Sequence, residues 1–106
     1  MPTIFDLLEN VERRPYMYLG GSGPKDLLIG LELFLSGYEA AISHHSVDDA
    51  PGKQFMREFG EYLSAKYDWS MSCGPIAAIR DAAANDEDAW KMFWKLVNEY
   101  RRSRGF

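Results

Sequence analysis

The residues of this chain able to do chemistry are few and scattered. His44 and His45 are adjacent and could ligate a metal. Neighbouring positions on a helix point about 100° apart. No cysteine or further histidine accompanies the pair, so a surface pair near a helix C-terminus is expected. Cys73 could be a nucleophile, but no basic residue near it in sequence would lower its pKa, so a buried small hydrophobe is expected. As the single cysteine it cannot close an intramolecular disulfide, which fits a reducing cytoplasm. Trp90, Phe93 and Trp94 could stack bases, yet their spacing is that of a core-facing helix. Carboxylates are plentiful, but nothing singles out a pair held in a pocket. No phosphate loop, His-Glu-x-x-His or Gly-x-Ser-x-Gly segment occurs. The expectation is a protein that is not an enzyme, with no catalytic residue, no cofactor and no bound metal.

The elements that position these residues read as helices throughout. At 106 residues, 46% hydrophobic and 26% charged, the chain suits one soluble domain spanning residues 1–106. Thr3 and Asp6 form a capping pair for a first helix whose Ile4, Leu7, Leu8 and Val11 recur at helical spacing. Glu9 and Arg13 can pair on its exposed side, and Pro15 ends it. Ser22-Gly23-Pro24 restarts the chain as the longest helix, with Asp26 at its positive end. Its broad stripe of Leu27, Leu28, Leu31, Phe34, Leu35, Tyr38, Ala41 and Ile42 predicts a central position. Gly30 and Gly37 lie on or near that stripe and predict close approach of another element. Val47 to Gly52 reads as a polar connection. A third helix carries Phe55, Phe59, Tyr62 and Leu63 and ends near Tyr67-Asp68. Pro75 opens a short fourth with Ile76 and Ile79 inside and Arg80 outside. Asn85 and Asp88 cap a fifth bearing Trp90, Phe93, Trp94, Val97 and Tyr100 on one face. No repeat and no alternating strand pattern stands out, so the fold class is all-α, an irregular bundle of about five helices.

Between the first two helices lies Arg13-Arg14-Pro15-Tyr16-Met17-Tyr18-Leu19-Gly20-Gly21. A linker is normally polar, because its exposed backbone must be solvated. This one is aromatic and apolar. It is either a plug packed under the helices, the first expectation, or a docking surface. Charge adds a second cue. The chain carries 12 basic and 16 acidic side chains, and through residue 50 the count is 3 against 8. That half is either a solvated acidic face or one that attracts a basic partner. A net charge of -4 gives no basic face for general nucleic-acid binding. No apolar run reaches membrane-spanning length, and the N-terminus lacks signal-peptide character, so a soluble cytoplasmic protein without a membrane partner is expected.

Arg13-Arg14-Pro15-Tyr16-Met17-Tyr18-Leu19-Gly20 resembles the Arg-Lys-Arg-Pro-Gly-Met-Tyr-Ile-Gly segment that opens DNA gyrase B-type ATPase domains. That family also needs a helical Asn that helps hold magnesium and an Asp-x-Gly-x-Gly segment for adenine. Here the corresponding helix, Glu32-Leu33-Phe34-Leu35-Ser36-Gly37-Tyr38-Glu39-Ala40-Ala41, has no Asn, and no Asp-x-Gly-x-Gly follows. The resemblance implies at most a degenerate nucleotide-binding relic. More of the chain resembles the small helical immunity proteins of bacterial polymorphic and contact-dependent growth inhibition toxin systems. Arg14-Pro15-Tyr16-Met17-Tyr18-Leu19-Gly20, Leu31-Glu32-Leu33-Phe34-Leu35-Ser36-Gly37-Tyr38, Phe55 to Tyr62 and Asp86 to Tyr100 carry it. Tyr16 replaces the glycine common at its position and adds bulk. This second resemblance implies a cytoplasmic toxin inhibitor, one whose partner is a cognate toxin domain such as a nuclease, blocked without chemistry. A small regulatory or scaffold interaction domain is the alternative. The expected contact residues are the acidic Asp48, Asp49, Glu58 and Glu61, or Asp86, Glu87 and Asp88. Tyr16, Tyr18 and Trp69 would anchor them where exposed.

Overall fold

The computed structural model describes residues 3–106. Among them the chain forms seven helices and no strand: α1 (Ile4–Arg13), α2 (Pro15–Leu19), α3 (Pro24–His44), α4 (Ala50–Lys53), α5 (Phe55–Tyr67), α6 (Gly74–Ala82) and α7 (Asp86–Arg104). The all-α expectation holds, and the count exceeds five because two short helices occupy stretches read as loops. Both have a proline in their first turn. Pro15 stops α1, but its fixed φ and missing amide also suit the start of α2. Pro51 does the same for α4, where Asp49 caps the turn by accepting from Gly52 N at 3.1 Å. None of the helices is long and apolar enough to cross a membrane.

The chain divides into two compact units, Met1–Phe55 and Met56–Phe106. In the first, Thr3 Oγ1 accepts from Phe5 N and Asp6 Oδ2 from Thr3 N, closing the expected capping box. Arg13 at the other end of α1 donates to Asn10 Oδ1. Ile4, Phe5, Leu8 and Val11 of α1 are buried, as are Leu27, Leu28, Leu31, Leu35 and Ile42 of α3. The ring of Phe5 meets Phe55 edge-on at 5.9 Å. Close approach to α3 occurs at one of its two glycines. A Cβ on Gly30 would stand 3.2 Å from Leu19 O and 3.3 Å from Leu19 Cβ, whereas Gly37 has nothing within 4 Å.

That contrast predicts different outcomes for the same substitution. Gly37→Ala should raise stability by about 0.5–1 kcal/mol, since alanine is the better helix former and the space is open. Gly30→Ala should forfeit that gain, because Leu19 at the end of α2 must give way. Urea midpoints of the two variants measure the difference.

In the second unit α5, α6 and α7 pool their aromatic and aliphatic side chains. Phe59, Leu63, Ile76, Ile79, Phe93, Trp94, Leu96, Val97 and Tyr100 are all buried. Phe59 packs edge-on against Phe93 at 5.8 Å and Tyr100 at 5.6 Å. Helix α7 shows how completely sequence can specify an element. Asn85 caps it by accepting from Asp88 N at 2.8 Å, and Asp86, Glu87 and Asp88 fill the positive first turn. Arg101, Arg102 and Arg104 fill the negative last turn, and Gly105 closes it in the left-handed conformation at φ 75°. Cys73 corrects its expectation: the thiol is exposed, because it sits in the turn just before α6 rather than on a packed face.

Candidate protein-interaction surface

Helix α2 has no buried residue. Tyr16 is 51% exposed, Met17 69% and Tyr18 36%. The expected core plug is therefore a surface helix, with Leu19 tucked against α3 at Gly30. Tyr18 is steadied by Phe34, whose ring lies edge-on at 6.4 Å. Sequence reasoning passed over two neighbours. Ile29 and Leu33 of α3 are 44% and 70% exposed. Four residues apart, they share one helix face. Each precedes by one position the Gly30–Phe34 row that meets α2, so they flank that contact on the solvent side. A signal for them existed, since they are the aliphatic residues of α3 that the buried stripe leaves out. Tyr16, Met17, Tyr18, Ile29 and Leu33 are large exposed apolar side chains of α2 and α3, and exposed apolar surface is what a protein partner can cover.

The acidic candidates fall into different situations. Asp48 is exposed. Asp49, beside it, is 3% exposed and works inside the first unit. Its Oδ2 accepts from Tyr38 Oη at 2.5 Å while its Oδ1 caps α4. Burial first, and the Asp49 carboxylate second, push the Tyr38 phenol up to about 12. In the second unit Glu58 is half-buried, and its Oε2 accepts from Tyr100 Oη at 3.4 Å. Burial, then the charge of Glu58, raise the Tyr100 phenol above its ordinary value. Glu61 pairs with Arg57 at 3.2 Å, Asp86 with Arg80 at 3.0 Å, and Glu87 with Lys91 at 3.7 Å. Asp88 is exposed in the first turn of α7. Trp69 is half-buried and stacked on Tyr67 at 4.8 Å. Tyr16, Tyr18 and Asp48 thus belong to the first unit, and Glu58, Glu61, Trp69 and Asp86–Asp88 to the second.

No family model, curated protein or solved structure matches this chain. The site must be read from its own geometry. Concave features are modest. A cavity of about 440 Å³ lies in the second unit among Met56, Arg57, Gly60, Glu61, Ser64, Met71, Gly74 and Pro75. His44 and His45 are exposed at the end of α3 with rings edge-on at 5.1 Å. Among the described residues no group of three or more His, Cys, Asp or Glu is placed to hold a metal ion.

A polar cluster joining α5 to α7 within the second unit is structural. Tyr67 Oη and Lys66 Nζ both donate to Glu99 Oε2, at 2.9 and 3.3 Å. The Tyr67 hydrogen bond chiefly holds the Glu99 carboxyl below its ordinary 4.5; burial pushes the other way, and the hydrogen bond and charge of Lys66 add to the lowering. A carboxylate depressed by folding stabilises the native state above pH 4.5, and that contribution is lost as pH falls through the native value. Tyr67→Phe should move the Glu99 pKa back toward 4.5 and flatten the acid limb of the stability profile. Carboxyl-detected NMR titration follows the shift directly.

Proposed function

We propose that this protein is a non-enzymatic, cytoplasmic immunity protein of a bacterial toxin system. It binds a cognate toxin domain and neutralises it by occlusion. The observation that carries this reading is the short helix α2, which holds Tyr16, Met17 and Tyr18 out to solvent with no buried residue of its own. Tyrosine and methionine are enriched at interface centres, where a few buried anchors supply most of the affinity. Here they stand on a helix already seated on α3 at Gly30, so little ordering is lost when a partner covers them. The acidic excess of the first fifty residues supports a basic partner, such as a nuclease domain, by raising its association rate. The contact set follows: Tyr16, Met17, Tyr18, Ile29 and Leu33 at the centre, with Asp48 available as an exposed charge of the same unit. Asp49 is spent internally.

Co-expression with the toxin domain encoded by a neighbouring gene tests the reading. A tight one-to-one complex and rescued growth are expected, with both lost in a Tyr16→Ala/Tyr18→Ala variant that still folds. Failure of rescue with every neighbouring candidate would overturn it. A stable complex without rescue would favour the scaffold alternative.

A further inference from the structure

Through residue 50 the basic side chains are Arg13, Arg14 and Lys25, against eight acidic ones. Two of the three stand side by side at the α1–α2 junction. There Asn10, Arg13, Arg14, Met17 and Tyr18 line a cleft of about 190 Å³. Arg14 belongs to neither helix, with φ −135° and ψ 61°, and at this bend Met17 and Tyr18 of α2 join Asn10 of α1 in lining the cleft. Arg13 Nη2 donates to Asn10 Oδ1 at 2.6 Å, which fixes one edge of the guanidinium and leaves its other N–H donors unspent on that contact. Ion pairs among the described residues include Arg57–Glu61, Lys66–Glu99, Arg80–Asp86 and Lys91–Glu87. Neither Arg13 nor Arg14 belongs to one. In a half of the chain rich in carboxylates, two adjacent arginines thus line one concave site that has no acidic residue in its lining.

We propose that this cleft is an oxyanion site that receives the carboxylate of an acidic side chain on a protein partner. A guanidinium fork matches a planar carboxylate, and paired arginines hold it by charge-assisted hydrogen bonds. The cleft shares Met17 and Tyr18 with the exposed apolar face, so an occupant reaching it from a protein covers that face as well. A free anion would not. The partner's surface is then an apolar patch with one aspartate or glutamate beside it, on a body that is otherwise basic. Which molecule owns the carboxylate rests on the protein-binding reading above; the oxyanion chemistry of the cleft does not.

Titration of the isotope-labelled protein with sodium glutarate at constant ionic strength tests the cleft by itself. Saturable NMR shifts are expected at the Arg13 and Arg14 guanidinium groups and the Asn10 amide. R13Q/R14Q should weaken binding by about tenfold or more, and R13K/R14K should weaken it too, because lysine keeps the charge but loses the fork. Both arginines are exposed, so thermal midpoints should confirm that the variants fold. R57Q, in the second unit, should leave the response intact. Shifts reproduced by chloride alone, or surviving R13Q/R14Q, would overturn the site. Tighter binding of inorganic phosphate than of glutarate would overturn the assignment to an acidic side chain. Failed toxin rescue with an intact glutarate response would remove the proposed partner while leaving the oxyanion site standing.

Discussion

Phe59→Ala is expected to lower the unfolding free energy by about 3–5 kcal/mol, the largest effect of any single truncation considered for this chain. Phe59 is fully buried, and its ring faces both Phe93 and Tyr100 at edge-on distances. Removing it takes away the transfer free energy of the ring and leaves a cavity that two rigid aromatics cannot readily collapse into. All three tryptophans, Trp69, Trp90 and Trp94, lie in the same unit. Urea unfolding followed by their fluorescence therefore reports on it directly. A loss below about 1 kcal/mol would mean that the aromatic cluster repacks freely, against the close packing expected of a protein interior.

Asp49→Ala should cost about 2–4 kcal/mol, with the loss falling in the first unit. Two contributions combine. A charge-assisted hydrogen bond to Tyr38 is worth about 1.5–3 kcal/mol, and the cap on α4 about 1 kcal/mol. The Tyr38 hydroxyl would be left half-buried with its acceptor gone. Far-UV circular dichroism is the right probe, since no tryptophan lies in this unit. The same variant has a signature in pH. The Tyr38 phenol titrates near 12 in the folded protein and near 10 when unfolded. Between those values the native state holds the extra proton, so the stability tied to this shift is complete below pH 10 and is lost as pH rises toward 12. In Asp49→Ala burial remains but the carboxylate is gone. The phenol should titrate between 10 and 12, and the alkaline loss of stability should shrink accordingly. Ultraviolet difference titration of Tyr38, identified by comparison with Tyr38→Phe, measures it.

The two variants also separate what a reader of the sequence can and cannot see. Phe59 and Asp49 are equally visible as letters, but only Phe59 announces its place, by falling on the repeating apolar face of α5. Asp49 sits in a run, Val47 to Gly52, that reads as a polar connection and supplied two of the expected contact residues. Its burial follows from Tyr38, eleven positions away on α3 and directed at it across the turn. The same difference separates Leu31 from Leu33. Both are leucines on α3, yet Leu31 is fully buried and Leu33 is 70% exposed. Periodicity assigned Leu31 to the core and left Leu33 without a place, and that lack of place was the overlooked mark of a surface anchor.

What the sequence by itself determined is whatever acts within a turn or two of chain. The Thr3–Asp6 box, the Asn85 cap, the acidic start and basic end of α7, and the restarts at Pro24 and Pro75 are of this kind. Each depends on atoms only a few residues apart, so their geometry follows from backbone preference and nearby hydrogen bonds. Tertiary structure alone decided that Tyr16, Met17 and Tyr18 are uncovered, that Cys73 is exposed, that Asp49 is enclosed, and that Arg13 and Arg14 share a cleft. Burial is a property of what stands opposite a side chain in space, and for these residues that partner, or its absence, is set by how the helices around them pack.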